Sequence, residues 1–293
     1  MSLGVSFIQN TAIYVLKTQL QLLPLVAILA LFLVGPIVII FVVSFWDYTE
    51  FSIVPDFVFT NYIELFESTV TYSIYFNTIK FAALSWFFTL IIGFAIAYFL
   101  AFHVRTLKWQ VILFLICTIP FWTSNIIRMI AWIPVLGRHG LVNKFLLNLG
   151  IVDQPIEWLL YSDFAVVLAF VHLYTLFMVV PIFNSMMRID KAVLEAARDA
   201  GASAMQVLLH IIIPLCRPGI AIGTIFVVSL VMGDFVTVQA MSGGQSASVG
   251  VAMNHKRALL QYPAAAADAI ILLMVVLAMV AMLMRTINIR KEL

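Results

Sequence analysis

The sequence predicts an all-α integral membrane protein with six transmembrane helices. Apolar residues make up 64% of the 293-residue chain and charged residues only 10%, whereas charged residues make up about 25% of a typical soluble domain. The apolar residues fall into six runs, and a helix needs roughly 20 such residues to cross about 30 Å of hydrocarbon. Because the runs are continuous and lack a period of two residues, they favour helices over the strands of a β-barrel.

The six runs define the predicted spans and the segments between them. They lie near residues 22–46, 73–102, 109–133, 163–187, 214–235 and 262–284. The first run is too long for a secretory signal and no small-residue cleavage site follows it, so we expect it to be retained. All six spans belong to one predicted transmembrane domain, residues 1–293, whose longest inner connection is residues 188–213.

Basic residues distinguish the two sides of the membrane. With a cytoplasmic N-terminus, the inner segments hold ten basic residues: Lys17, Arg105, Lys108, Arg188, Lys191, Arg198, Arg217, Arg285, Arg290 and Lys291. The outer segments hold four: Arg138, Lys144, Lys256 and Arg257. Because cytoplasmic loops carry an excess of Lys and Arg, this asymmetry predicts that both termini lie in the cytoplasm.

The inner connection between the fourth and fifth spans has the signals of two short helices. Asp190 is a typical N-cap, Gly201 is a typical residue just after a helix, and Ser203 begins a second helix. The first helix has a small apolar surface on which a partner could pack closely, formed by Ala192, Val193, Ala196, Ala197 and Ala200. From these residues alone, an amphipathic helix lying on the membrane surface is an equally good interpretation.

The same connection resembles a known motif, the EAA loop of ABC-importer permeases. At the family's spacing it has Glu195, Ala196, Ala197, Gly201, Ile211 and Pro214. Only Ile213 departs from the pattern, where the family has Leu. The resemblance implies a type I ABC importer permease fold in which this loop contacts an ATPase. It implies coupling roles for Glu195, Ala196, Ala197, Asp199, Gly201 and Pro214.

Two further stretches resemble the spermidine/putrescine-type permeases among these importers. They are residues 120–150 and 233–244. The resemblance implies a multi-pass protein of the bacterial inner membrane. It implies as partners a second, homologous permease subunit, two ATP-binding subunits and a periplasmic substrate-binding protein. The implied cargo is a polyamine or similar small amine, and an aminophosphonate, an opine or another amino-acid derivative stays open as the alternative.

The chain itself lacks the signatures of catalysis. It has no GxxxxGK[ST] phosphate-binding loop, so we expect ATP and Mg²⁺ on partner subunits and no cofactor on this chain. Its five histidines have no metal-binding spacing, and its net charge of +2 without a Lys/Arg run argues against nucleic acid. A secondary transporter is the main alternative class, but it would normally have more spans or internal repeats and would leave the EAA resemblance unexplained.

Four ionisable residues fall inside or at the edge of the predicted spans: Lys80, Arg128, Asp234 and Asp268. Each costs roughly 3 kcal/mol near the bilayer centre. Their positions along the spans place all four in the outer half, where they could pair with one another or reach the headgroups.

The candidate substrate-path residues come from the third and fifth spans. Trp122, Asn125, Arg128 and Trp132 follow helical spacing. This spacing predicts one polar and aromatic helix face, suited either to a solvated cavity or to an interfacial aromatic belt. Asp234 precedes a glycine-rich outer segment and joins these four as a candidate.

Overall fold

Helices form most of the chain, as the apolar runs predict. The structure is a computed structural model that describes residues 21–49 and 52–286. Lys17, Arg290 and Lys291, which contribute to the predicted charge asymmetry, lie outside the described residues. The cytoplasmic placement of both termini therefore stays a prediction.

The first half of the chain contains seven described helices and one small hairpin. In chain order these are α1 (Gln21–Val43), β1 (Asp47–Tyr48), β2 (Ile53–Val54), α2 (Thr60–Glu67), α3 (Thr69–Tyr98), α4 (Leu107–Thr118), α5 (Asn125–Ile130), α6 (Ile133–Leu136) and α7 (Leu141–Asn148). The two strands pair antiparallel, with Asp47 opposite Val54. A π-helical turn, Phe99–His103, extends α3.

The second half continues with eight helices among the described residues. They are α8 (Asp163–Met187), α9 (Lys191–Asp199), α10 (Ala204–Val207), α11 (Ile213–Leu215), α12 (Arg217–Gly233), α13 (Val236–Ser242), α14 (Val249–Ala258) and α15 (Tyr262–Thr286). A π-helical turn, Leu208–Ile212, joins α10 to α11.

Four helical segments are long and apolar enough to cross a membrane. They are Gln21–Val43, Thr69–His103, Glu157–Met187 and Tyr262–Arg285, and each overlaps one predicted span. The remaining two predicted spans, 109–133 and 214–235, each overlap a pair of helices that is bent at a break. The described residues thus contain up to six spans if each bent pair counts as one.

The third predicted span is not one straight helix, which corrects the sequence expectation. The helical segments Leu107–Trp122 and Asn125–Asn148 meet at an angle of 91°. Between them Thr123 and Ser124 have extended backbones, with ψ of 150° and 138°. Pro120 precedes the break and lacks the N–H that a continuing helix would use. At the start of the fifth predicted span, the helical segments Ala204–Leu215 and Arg217–Gly233 meet at an angle of 64°.

The chain divides into two compact units, and the larger one contains the core of the bundle. This unit comprises Leu65–His255 and the described residues from Ile271 onward. In it α3, α8 and α12 pack against one another. A Cβ atom on Gly93 or Gly223 would come within 3.0 Å or less of the Met178 side chain, so glycines let these helices approach closely. The Trp86 indole N–H also donates to the Thr224 hydroxyl at 2.9 Å, joining α3 to α12.

The smaller unit comprises Lys256–Ile270 and the described residues up to Glu64. Its helix α1 exposes nearly all of its large apolar side chains, as a lipid-facing span does. After α1 the buried Asn61 side chain donates to the carbonyls of Ser44 and Trp46, at 3.1 and 2.8 Å. Those bonds hold the chain in the tight turn that ends the helix. The single transmembrane domain, residues 1–293, stays a prediction.

Candidate translocation site and coupling segment

Asp234 lies at the break between α12 and α13. Its own backbone is extended, with ψ of 115°, so α12 ends at Gly233. The Asp234 Oδ1 atom accepts the backbone N–H of Thr237 at 2.9 Å, in the first turn of α13. An aspartate just before a helix commonly satisfies one of the unpaired N–H groups of the first turn. The local sequence therefore explains why a carboxylate stands at this position.

The second carboxylate oxygen of Asp234 accepts two more hydrogen bonds. Its Oδ2 atom receives the hydroxyl protons of Tyr174 and Thr237, each at 2.7 Å. All three donors to the carboxylate are neutral groups. Among the residues that the structure describes, no Lys, Arg or His forms an ion pair with Asp234. The carboxylate is thus oriented by neutral hydrogen-bond donors and forms no salt bridge with a described residue.

Asp234 lines a cavity of about 430 Å³, called the larger cavity below. Its walls come from α5, α8, α12 and α13, with Asn125, Ile126, Met129, Tyr174, Ser229, Leu230, Gly233, Asp234, Phe235, Val236 and Thr237. Apolar walls with a few convergent polar groups are typical of small-molecule sites. Two predicted path residues, Asn125 and Asp234, thus meet in one cavity.

Arg128 lies beside the larger cavity and is only 6% exposed. One of its terminal nitrogens, Nη2, donates to the Asn125 side-chain oxygen. Its guanidinium carbon lies 5.2 Å from the centre of the Phe121 ring. Its Nε and Nη1 atoms are buried and have no hydrogen-bond partner among the described residues. Such unpaired donors are costly in an interior, and more so when they carry a charge.

Arg128 borders a second cavity of about 190 Å³, called the smaller cavity below. His172 lines the same cavity, and its Nδ1 atom accepts the indole N–H of Trp132 at 3.0 Å. His172 therefore lies between two predicted path residues: it lines the smaller cavity with Arg128 and is hydrogen-bonded to Trp132. Asn125 connects this neighbourhood to the larger cavity because it lines that cavity and accepts from Arg128.

The expected single face of Trp122, Asn125, Arg128 and Trp132 does not form. Trp122 belongs to the 3₁₀ turn before the break, whereas Asn125 and Arg128 lie on α5 after it. Trp122 is 83% exposed and lines neither cavity. Helical spacing is meaningful only within one continuous helix, and the extended residues Thr123 and Ser124 interrupt it.

The other two intramembrane charges pair with residues outside the set of four, contrary to the possibility that these four pair together. Lys80 donates to Asp163 Oδ2 at 2.7 Å, and Asp163 Oδ1 also accepts the Ser246 hydroxyl at 2.5 Å. Asp268 pairs with Lys256 at 2.7 Å. The interpretation of Lys80 and Asp268 as structural ion-pair residues fits this geometry.

The predicted helix caps around the EAA motif are confirmed. We call residues 190–214 the EAA segment. The Asp190 side chain accepts the Ala192 N–H at 2.9 Å and so caps α9. At the other end Gly201 has φ of +85°. The Gly201 N–H donates to the Arg198 carbonyl, and the Ala202 N–H donates to the Ala197 carbonyl. This pair of bonds is the Schellman motif, which favours glycine in the left-handed position.

The second helix of the EAA segment begins as predicted. Ser203 and Gln206 form a capping box, in which each side chain accepts a backbone N–H of the other residue. Pro214 lies in the short helix α11 and is half-buried. Pro214 thus lies at the end of the EAA segment, just before the bend that precedes α12, and not on an open surface.

The helix α9 has one anchored side and one open side. Leu194 is buried in the core, and Ala197 packs partly against the same core. Exposed residues occupy the rest of the helix and its end: Val193, Glu195, Ala196, Asp199, Ala200 and Gly201. The predicted apolar surface is thus open except at Ala197, with Glu195 and Asp199 beside it.

Groups that could hold a metal are absent from the described part of the chain. No three His, Cys, Asp or Glu side chains come together there in a suitable cluster.

The chain is similar to transport proteins of known role, although no protein-family model matches it. It is 35% identical over 224 residues to the spermidine/putrescine transport system permease protein PotB of Salmonella typhimurium, covering 76% of each chain. Its structure matches that of a bacterial ABC transporter involved in alginate import, with a TM-score of 0.73, 18% identity and 98% of each chain covered. A second alginate transporter structure, in complex with an alginate pentasaccharide-bound periplasmic protein, matches with a TM-score of 0.71 and 18% identity over 92% of each chain.

Proposed function

The chain belongs to the family of spermidine/putrescine transport permeases, inner-membrane subunits of binding-protein-dependent ABC importers, and we propose that its own cargo is a small organic amine of the polyamine class. It would form half of the translocation pathway. A second, homologous permease subunit would supply the other half, as the relatives' role implies.

The Asp234 carboxylate is the observation that carries this proposal. It lines the larger cavity and forms no salt bridge with any described Lys, Arg or His. In a low-dielectric site a lone carboxylate is costly, and an ammonium group entering the cavity would relieve that cost. The apolar walls would accommodate the methylene segments between the amino groups of a polyamine.

The energy for transport would come from two partner ATP-binding subunits, which would hold ATP and Mg²⁺. The EAA segment, on the cytoplasmic side according to the charge asymmetry, would dock into them through the open side of α9. Val193, Ala196 and Ala200 lie three and four residues apart and are exposed, so they form one small-residue stripe for close packing. Glu195 and Asp199 would contribute polar contacts at its edge. A periplasmic binding protein would deliver the cargo from the other side.

The proposal is tested by reconstituting the complete importer in proteoliposomes with its binding protein and measuring ATP-dependent uptake. We expect saturable uptake of labelled putrescine or spermidine, competed by other diamines and not by neutral diols of equal length. Uptake that diols inhibit as well as diamines do, or an active importer that moves neither amine, would contradict an amine cargo.

A further inference from the structure

The smaller cavity presents hydrogen-bond donors and a positive charge, the opposite chemistry to the Asp234 carboxylate. Arg128 contributes two buried nitrogens, Nε and Nη1, that have no partner among the described residues. Its third nitrogen is occupied by Asn125, and its flat face lies over Phe121. Neither neighbour carries a negative charge. The guanidinium is thus positioned by its surroundings and left without a counter-ion.

His172 adds to the donor character of this cavity. Because its Nδ1 atom accepts the Trp132 indole N–H, the neutral ring carries its hydrogen on Nε2, which is therefore a donor. The Thr175 hydroxyl, which also lines the cavity, donates its own proton to the Val171 carbonyl at 2.5 Å. Among the described residues that line the smaller cavity there is no Asp or Glu.

From this geometry we infer that Arg128 and His172 form a binding site for a small carboxylate in the smaller cavity. A buried arginine that lacks a partner is strongly destabilising, whereas a charge-assisted bond from guanidinium to carboxylate is among the strongest hydrogen bonds in proteins. A volume of about 190 Å³ is sufficient for a carboxyl group with a short carbon chain. The inference rests on the proposed function only for the view that both cavities belong to the transport path.

The carboxylate has two possible sources with the same chemistry. It can be part of the cargo, because Asn125 connects the two cavities and a solute with both charges would satisfy Asp234 and Arg128 together. Such a cargo is an amino-acid derivative. It can instead be a free anion that neutralises Arg128 while an amine occupies the larger cavity.

The site is tested first without transport, on the detergent-purified complex of this chain with its partner subunits. Sodium acetate replaces sodium gluconate at constant sodium concentration, and the melting temperature is measured. We expect acetate to raise the Tm saturably by about 2 °C or more, because a ligand that binds the folded state stabilises it. Gluconate carries the same charge on a polyhydroxylated chain, whose hydroxyl groups would lie unpaired against the mostly apolar lining of this cavity, so it serves as the reference anion.

Two arginine variants locate the effect. Arg128→Gln removes the charge and should abolish the acetate-dependent rise, whereas Arg138→Gln, at an exposed arginine paired with Glu157, should keep it. If Arg128→Gln fails to assemble, the wild-type titration still decides. Equal Tm values in acetate and gluconate for the wild-type complex, or an undiminished rise in Arg128→Gln, would overturn the inference.

Uptake assays on the same complex then separate the two sources. If the cargo carries the carboxylate, 4-aminobutyrate is imported by the wild type and at least tenfold more slowly by Arg128→Gln. If the anion is free, wild-type putrescine uptake increases when acetate replaces gluconate, and the increase disappears in Arg128→Gln. A wild type that imports no amine while keeping the acetate-dependent rise in Tm would remove the proposed cargo and leave the anion site standing.

Discussion

The Tyr174 hydroxyl donates to Asp234 Oδ2 at 2.7 Å, across 60 residues of sequence, and fixes the carboxylate at the wall of the larger cavity. Tyr174 is itself buried in the core on α8. The bond therefore links the charged group to the buried core of the bundle. A carboxylate held in this way is preorganised to meet a cation, and it also caps α13 through Thr237.

The charge of Asp234 can be tested apart from its capping role. Asp234→Asn keeps an oxygen that can accept the Thr237 N–H, since asparagine is as good an N-cap as aspartate, but it removes the charge. A hydrogen bond to a charged group is worth about 1.5–3 kcal/mol, so we expect the KM for amine uptake to rise roughly 10- to 100-fold. The measurement is putrescine uptake at saturating binding protein.

Asp56→Asn is the matched control for this variant. The Asp56 carboxylate also accepts a backbone N–H, that of Phe57 at 3.0 Å, but the residue is exposed and lines neither cavity. We expect unchanged uptake there. An Asp234→Asn complex that assembles normally and transports putrescine with wild-type KM would exclude Asp234 from cation recognition.

Gly201 should tolerate asparagine far better than valine. Its φ of +85° lies in the left-handed region, and no atom lies within 4 Å of the position that a Cβ atom would take. The penalty for a side chain therefore comes from the backbone, roughly 1–2 kcal/mol for an ordinary residue and less for asparagine. We expect ATP-dependent uptake to fall severely in Gly201→Val and mildly in Gly201→Asn.

The order of these two Gly201 variants is the decisive outcome. If steric exclusion by a partner governed the site instead, both would fail alike, because both side chains are larger than glycine. Membrane insertion, measured by the amount of protein in the membrane fraction, should stay unchanged in both.

The caps of the EAA segment were predictable because their causes are local. Asp190, Gly201 and Ser203 each act on backbone groups within a few residues, so the sequence contains the whole interaction. Asn143 illustrates the opposite case. A polar residue in a short helix is ordinarily exposed, yet Asn143 is fully buried and its side chain bonds to Gly137 and Ile156 in the connections on either side of α7. Only the tertiary arrangement creates those partners.

For the candidate substrate path, the sequence predicted which residues take part better than it predicted how they are arranged. Asp234 and Asn125 do meet in one cavity, but helical spacing wrongly placed Trp122 beside them. Pro120 is a sequence signal for this break, but Thr123 and Ser124, where the backbone becomes extended, are not strong helix breakers. Lys80 pairs with Asp163 on another helix and Asp268 pairs with Lys256 on the preceding helix, so both partners depend on how the helices pack, which residue spacing does not encode.

Glu195 should matter for coupling and not for stability. Its side chain is exposed, while α9 is anchored through Leu194 and Ala197. Exposed substitutions away from caps and the core usually change stability by less than about 0.5 kcal/mol. We therefore expect Glu195→Lys to keep the wild-type Tm and to lose ATPase activity stimulated by the loaded binding protein, with at least a tenfold drop.

The control for Glu195→Lys is the same charge reversal at another exposed glutamate. Glu67→Lys, at the end of α2, should leave both the Tm and the stimulated ATPase activity unchanged. Normal stimulation in Glu195→Lys would detach this residue from the ATPase contact. A large fall in Tm would instead assign Glu195 a structural role.

Gly219 should be much less tolerant of a methyl group than Gly233. A Cβ atom on Gly219 would lie 2.5 Å from the Pro181 carbonyl oxygen and 3.0 Å from the Ile182 Cα atom, both backbone atoms of α8 that cannot move aside. Overpacking of this kind costs typically 1–3 kcal/mol. At Gly233 no atom lies within 4 Å of the added carbon, and alanine is the better helix former by up to about 1 kcal/mol.

In thermal unfolding of the purified complex, Gly219→Ala should therefore lower the Tm, while Gly233→Ala should preserve or raise it. Equal Tm values for the two variants would mean that α8 and α12 do not approach as closely as these distances require.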